Sequence, residues 1–207
     1  MIQLDKVALD KIARQIDSFV QIPVETDFLL HYAQRANHGV IEIGSWKGRS
    51  TVYLATVAKS KGIPMVAVDT WKDCDMPGCA GVDFYEEFVD HMRSADLTVC
   101  RIEVDFTLNQ HGAIYTIRYP SAVAARIAKP LFETSGKRFD LLFIDADHSY
   151  QAVRSDFYNW TPLLTRPAVV ILHDIACGHP GPRQLFVELM ERFDYKAVGN
   201  IAAVFVE

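Results

Sequence analysis

Residues 40–55 read VIEIGSWKGRSTVYLA, and this stretch decides the fold. Val40, Ile41, Glu42 and Ile43 form a short, largely β-branched run that stops at Gly44. A loop to Gly48 follows, then a helical pattern over residues 49–61 that closes on Gly62, a residue suited to a helix C-cap. The run is continuous instead of alternating, as expected of a parallel strand covered on both faces.

Working outward, the same unit recurs. Residues 65–68 (MVAV) end at Asp69, residues 114–118 end before Tyr119-Pro120-Ser121, residues 139–144 end at Asp145, and residues 169–172 end at His173-Asp174. Helical patterns are expected over 82–94, 99–111, 121–132 (until Pro130 disturbs it), 150–160 and 184–193. Residues 195–198 and 201–206 read as two strands with only Gly199-Asn200 between them, a hairpin turn that makes the last strand antiparallel. Five β-then-α units plus two closing strands give an α/β chain. The expected architecture is a seven-stranded, mostly parallel sheet with helices on both faces and an antiparallel last strand. Ahead of it, residues 4–19 carry an amphipathic stripe stopped by Pro23, and residues 24–35 form a second helical candidate. The expected organisation is a single domain over 1–207, with N-terminal helices in 1–37 and the core in 38–207. Residues 71–81 (WKDCDMPGCAG) form an irregular insert placed like a lid.

Composition narrows the function classes. The 207 residues are 50% hydrophobic and 23% charged, with a net charge of −5, which excludes a disordered chain. The longest apolar runs are too short to span a bilayer, and the start carries acids in place of a basic region and an apolar block. An acidic balance without a Lys/Arg run argues against a nucleic-acid surface. Four cysteines (Cys74, Cys79, Cys100, Cys177) without an export signal read as thiols of a reducing, cytoplasmic compartment. Cys74, Cys79, Cys177 and His179 can be drawn as a zinc site, but the spacing favours loop thiols.

In open α/β sheets, ligands bind outside the carboxyl ends of the strands. Here those ends carry Glu42, Asp69, Asp145, Asp147 and Asp174 together with His148 and His173. So many carboxylates on one edge would repel one another, so a cationic ligand, a metal ion or both is expected. Gly44 and Gly48 allow a tight turn and a close backbone approach, although the G-x-x-x-G pattern is also that of a merely tight loop. Asp69, about 20 residues further on, stands where a carboxylate can accept ribose hydroxyls; a turn or helix-cap role is the alternative.

The segments VIEIGSWKGRSTVYLA, VAVDTW, FDLLFIDADHSYQAVRSDFYNWTPLL and VVILHDI together resemble the class I S-adenosylmethionine-dependent methyltransferases, a Rossmann-like family. The branch they are most similar to contains macrocin-type sugar O-methyltransferases and cephalosporin-hydroxylase-like proteins. The resemblance implies that Glu42, Gly44, Ser45, Gly48 and Ser50 line the methionine end of S-adenosylmethionine. It further implies that Asp69 holds the ribose with Thr70 and Trp71 beside it, and that Ser121 and Ala122 lie against the adenine. A divalent cation (Mg, Mn or other) would be held by Asp145, His173 and Asp174. Many relatives place an acid where His173 stands, and imidazole suits Mn²⁺, Fe²⁺ or Zn²⁺ better than Mg²⁺; a metal-free site with His173 on the substrate is the alternative. By the same resemblance His148 is the general base for an acceptor hydroxyl, a task for which imidazole is suited near neutral pH; a helix-capping role is its alternative. Asp147 is placed either to fix the His148 tautomer or to hold the amine of the sulfonium ligand.

The expected activity is O-methylation of a small hydroxylated molecule, a sugar or natural product. The competing readings are a nicotinamide-dependent oxidoreductase, disfavoured by the missing third glycine, and a non-catalytic S-adenosylmethionine-binding module. Lys47 and Arg49 either contact substrate or face solvent. The amphipathic N-terminal helix offers a face on which a second copy could pack, so a homo-oligomer is an open expectation.

Overall fold

The computed structural model describes residues 5–17, 23–72, 81–102, 112–176 and 178–207. In chain order the elements are α1 (Lys6–Ala13), α2 (Pro23–Ala33), β1 (Val40–Ile43), α3 (Arg49–Lys61), β2 (Met65–Val68) and α4 (Tyr85–Ser94). There follow β3 (Thr98–Arg101), β4 (Ala113–Ile117), α5 (Ser121–Ser135), β5 (Leu141–Ile144) and α6 (Tyr150–Trp160). The chain closes with a 3₁₀ turn (Thr161–Leu163), β6 (Ala168–His173), α7 (Pro180–Met190), β7 (Tyr195–Val198) and β8 (Ile201–Val206).

The strands form one sheet in the order β3-β4-β2-β1-β5-β6-β8-β7. All neighbours pair in parallel except at β8, which runs antiparallel to both β6 and β7. This is the expected α/β, Rossmann-like class, with eight strands instead of seven. The additional strand is β3, where a helix over 99–111 was expected. Its four residues pair with β4 from Thr98↔Ala113 to Arg101↔Thr116. As an edge strand it is buried on neither face, so it lacks the apolar run that marks the inner strands, and Val99 and Ile102 stand at a spacing a helix shares. Residues 103–111 lie outside the described residues.

The four-residue strands β1, β2 and β5 are buried at every position, because both faces of the sheet are covered. Val40, Met65, Ala67 and Phe143 join the cluster built by α1 to α4. Ile41, Ile43, Val66, Val68 and Leu142 join the cluster built by α5 to α7. Pro23 does not end the first helix, which stops at Ala13; it opens α2 instead, where its missing N–H costs nothing. Pro130 lies inside α5, which continues to Ser135 and ends on Gly136 in the left-handed region. At the amino ends of the strands the Asp140 carboxylate accepts the N–H groups of Asn37, His38 and Gly39. That acid is spent on structure, so the chemistry is left to the opposite edge.

Candidate functional site

The β1–α3 loop is organised around Glu42, which is fully buried. Its Oε2 accepts from the Ser45 hydroxyl at 2.8 Å and from Thr51 at 2.5 Å, and Ser50 also donates to the carboxylate. Oε1 is buried with no hydrogen-bond partner. Burial pushes the Glu42 carboxyl up to about 7, against the pull of the three hydroxyls and with the help of nearby Asp145. Ser45 and Ser50 thus turn inward, onto Glu42. Thr51, which reads in sequence as one more helix residue, completes the set.

Both loop glycines hold left-handed backbone, and at Gly44 the protein's own packing also forbids a side chain. At Gly44 (φ 89°) a Cβ would stand 1.9 Å from the Asp145 carbonyl oxygen, and at Gly48 (φ 94°) 2.4 Å from Met92 Cε. The bare Gly44 therefore lets the ends of β1 and β5 touch, which draws Asp145 to the loop.

Asp69 closes that loop from the side. Its Oδ2 accepts the Trp46 N–H at 2.8 Å and its Oδ1 the Trp71 N–H at 2.7 Å. Both tryptophans hold positive φ, 41° and 51°, a conformation rare for bulky residues. Burial raises the Asp69 carboxyl above its ordinary value, and the backbone donors oppose that rise. The Thr70 hydroxyl is engaged with the backbone of Lys72. Trp71 is 1% exposed and its ring packs on Tyr85 and Phe88. Its link to the site is its backbone N–H. Lys47 is half-buried. Its ammonium lies 5.4 Å from both the Trp46 and Phe84 rings and 3.1 Å from Glu87.

Ser121 and Ala122 form the first turn of α5, half-buried. Ser121 Oγ accepts the Trp160 indole N–H at 2.8 Å and donates to Asp156. Asp156 is buried on α6, and burial lifts its carboxyl to about 6, with Asp147 adding to the rise. Sequence reasoning missed it, although an acid between Val153 and Phe157 on the apolar stripe of α6 was the available signal.

Four expected residues converge at the ends of β5 and β6. His148 Nε2 lies 2.7 Å from Asp174 Oδ2. His173 Nδ1 lies 3.3 Å from both Asp145 Oδ1 and Asp174 Oδ1, yet it is buried and makes no hydrogen bond. Burial alone would lower the His173 pKa, but the charges of Asp145 and Asp174 carry it up to about 11. Asp174 sits at φ 61° and also accepts the Asn200 side-chain amide at 2.6 Å. The N-cap of α6 is Ser149 and not His148. Asp147 Oδ1 accepts the Ser149 N–H at 2.7 Å, while Asp174 is the carboxylate placed against His148 Nε2.

Asp145, His173 and Asp174 present ligand atoms close enough together for one cation. A second such group among the described residues is His148, Asp174 and His179, in which the two imidazoles stack at 4.0 Å. Cys74, Cys79 and Cys177 lie outside the described residues. An orphaned buried imidazole nitrogen beside two carboxylate oxygens fits a divalent cation by its donor chemistry.

Among known proteins, the sequence profile of a methyltransferase-domain family matches residues 41–175. An uncharacterised protein, y4gI of Sinorhizobium fredii, is 26% identical over 137 residues, which make up 65% of this chain and 13% of that protein. This chain therefore spans about an eighth of the length of that curated relative. Two solved structures share the fold. The O-methyltransferase TomG of Streptomyces achromogenes, determined with S-adenosylmethionine, has a TM-score of 0.62 and 19% identity over 100% of this chain and 92% of its own. CalS11, described as a TDP-rhamnose 3′-O-methyltransferase of calicheamicin biosynthesis, has a TM-score of 0.59 and 13% identity over 99% and 96%. The sheet with its single antiparallel strand, the glycine turn after β1 and the acids at the strand ends all lie in or beside the matched region, and the chain belongs to the methyltransferase-domain family.

Proposed function

We propose that this chain moves the methyl group of S-adenosylmethionine onto a hydroxyl of a small molecule, a sugar or a natural product. The observation that carries this reading is the His148–Asp174 pair at 2.7 Å, set directly beside the Asp145–His173–Asp174 group and one strand away from the glycine loop. When bound, S-adenosylmethionine supplies an electrophilic methyl carbon on a sulfonium. The chain's part is to hold the two reactants in line and to take a proton.

The β1–α3 loop, with Glu42 beneath it, receives the methionine end, Asp69 the ribose, and the first turn of α5 the adenine. His148, held by Asp174, accepts the proton of the acceptor hydroxyl while its oxygen attacks the methyl carbon. The C–S bond breaks with its electron pair going to sulfur, so sulfonium becomes neutral thioether and charge balances. Asp145, His173 and Asp174 would hold a divalent cation whose chemistry is to orient the hydroxyl and lower its pKa. TomG and CalS11, which share the fold, support the oxygen acceptor by analogy.

Isothermal titration with S-adenosylhomocysteine, with Mn²⁺ or Mg²⁺ and after chelation, tests the reading. Binding is expected in all three conditions, with a separate heat for the metal. No binding of S-adenosylhomocysteine under any of them would overturn it.

A further inference from the structure

We infer that Glu25, on the N-terminal helix α2, is a positioning residue that makes His173 Nδ1 a metal ligand. The inference rests on the cation site proposed above.

Glu25 is 4% exposed, and a buried carboxylate is costly unless donors face it. Two do. Its Oε1 accepts the Asn200 backbone N–H at 3.1 Å, and its Oε2 lies 3.3 Å from His173 Nε2. A carboxylate is an acceptor, so the hydrogen shared with it belongs to Nε2. A neutral imidazole carrying its hydrogen there presents a lone pair at Nδ1. That nitrogen makes no hydrogen bond and faces Asp145 Oδ1 and Asp174 Oδ1, each at 3.3 Å. A second proton on Nδ1, which the two carboxylates favour, and a divalent cation compete for that lone pair. The arrangement is a carboxylate–histidine–metal relay, in which the outer acid sets the tautomer and raises ligand basicity.

The loop closes through Asn200, which gives its N–H to Glu25 and its side-chain amide to Asp174. Glu25 is thereby tied to both members of the His173-Asp174 pair.

Mn²⁺ affinity of the apo chain is the test, measured by electron paramagnetic resonance for wild type, Glu25→Gln, His173→Asp and the double variant. Glu25→Gln should weaken Mn²⁺ binding by about 10- to 100-fold, while S-adenosylhomocysteine affinity holds. Pulsed spectra of bound Mn²⁺ should show a directly ligated ¹⁴N in wild type and none in His173→Asp. With Asp at 173 there is no tautomer to set, so Glu25→Gln should no longer weaken binding. An equal loss in both backgrounds, or none in either, overturns the role of Glu25 and leaves the cation site standing. A wild-type chain that binds no Mn²⁺ overturns the cation site and this inference together, while S-adenosylhomocysteine binding still tests methyl transfer separately.

Discussion

His148 Nε2 and Asp174 Oδ2 meet at 2.7 Å across the gap between the ends of β5 and β6. Asp174 is bent into the left-handed region, φ 61°, which lets one carboxylate serve His148 through Oδ2 and His173 and Asn200 through Oδ1. An imidazole held this way is set up to take a proton. His148→Ala should therefore cut methyl transfer by about 10²- to 10⁴-fold and leave S-adenosylhomocysteine affinity unchanged. Turnover and calorimetry on the same preparation decide it, and full turnover in the variant would remove His148 from the chemistry.

Asp69 holds two backbone N–H groups, those of Trp46 and Trp71. Asp69→Ala takes this acceptor from two part-buried donors, at a cost of up to about 1–3 kcal/mol each, and removes the carboxylate proposed for the ribose. A lower melting temperature and loss of S-adenosylhomocysteine binding are both expected. A variant that melts early but binds as tightly as wild type would confine Asp69 to the loop.

Glu42 gives a pH signature. Its carboxyl rises from 4.5 to about 7 in the folded chain, so between those values the folded state keeps a proton that the unfolded state has released. The stability tied to this group is full below pH 4.5 and is lost as pH climbs through 7, by about 3 kcal/mol in all. Glu42→Gln keeps an acceptor for Ser45, Ser50 and Thr51 without the titration. Urea unfolding at pH 5, 6.5 and 8 should show wild type losing stability relative to the variant. Asp156, raised in the same direction, is present in both proteins and cancels. Parallel curves would refute the assignment.

What the sequence discloses follows the physics of each element. β1, β2, α6 and β8 lie on the residues where apolar runs and periodicity place them, because buried strands and amphipathic helices write their environment into composition; β7, an exposed edge strand, is legible through the Gly199-Asn200 turn that joins it to β8. β3 did not show itself, since an edge strand of four residues has no apolar run to display. Among the candidate site residues, Asp145, His148, His173 and Asp174 are legible because strand ends are fixed in sequence. Their pairing is not: Asp147 is the nearer neighbour of His148 in the chain, yet the carboxylate that meets His148 Nε2 is that of Asp174, on the next strand end. Glu25 lies 148 residues from His173 and looks like an ordinary first-turn acid of a helix opened by proline. Trp71 reads as a neighbour of Asp69, which its N–H does bond, but the direction of its ring, into the core, is set by tertiary packing and is not written in the sequence.

Gly181 offers a test of how the proposed base, His148, is positioned. It lies in the first turn of α7, where a Cβ would stand 2.3 Å from the His148 carbonyl oxygen and 2.4 Å from the Tyr150 nitrogen. Neither atom belongs to a flexible side chain, so Gly181→Ala must push α7 away from residues 148–150 or displace that segment. The segment is the more easily moved, because residues 146–149 are loop between β5 and α6, whereas α7 is fixed by Leu185, Phe186 and Leu189 in the core. His148 would then leave its place beside Asp174. A misplacement of about 1 Å at a reacting group costs about 10²-fold in rate, so turnover should fall to that degree with S-adenosylhomocysteine affinity intact. Gly178→Ala is the matched control, since nothing lies within 4 Å of the Cβ it would add. If Gly181→Ala instead lowered stability while folded molecules kept wild-type turnover, α7 would be the part that yields, and the contact would support the helix and not the base.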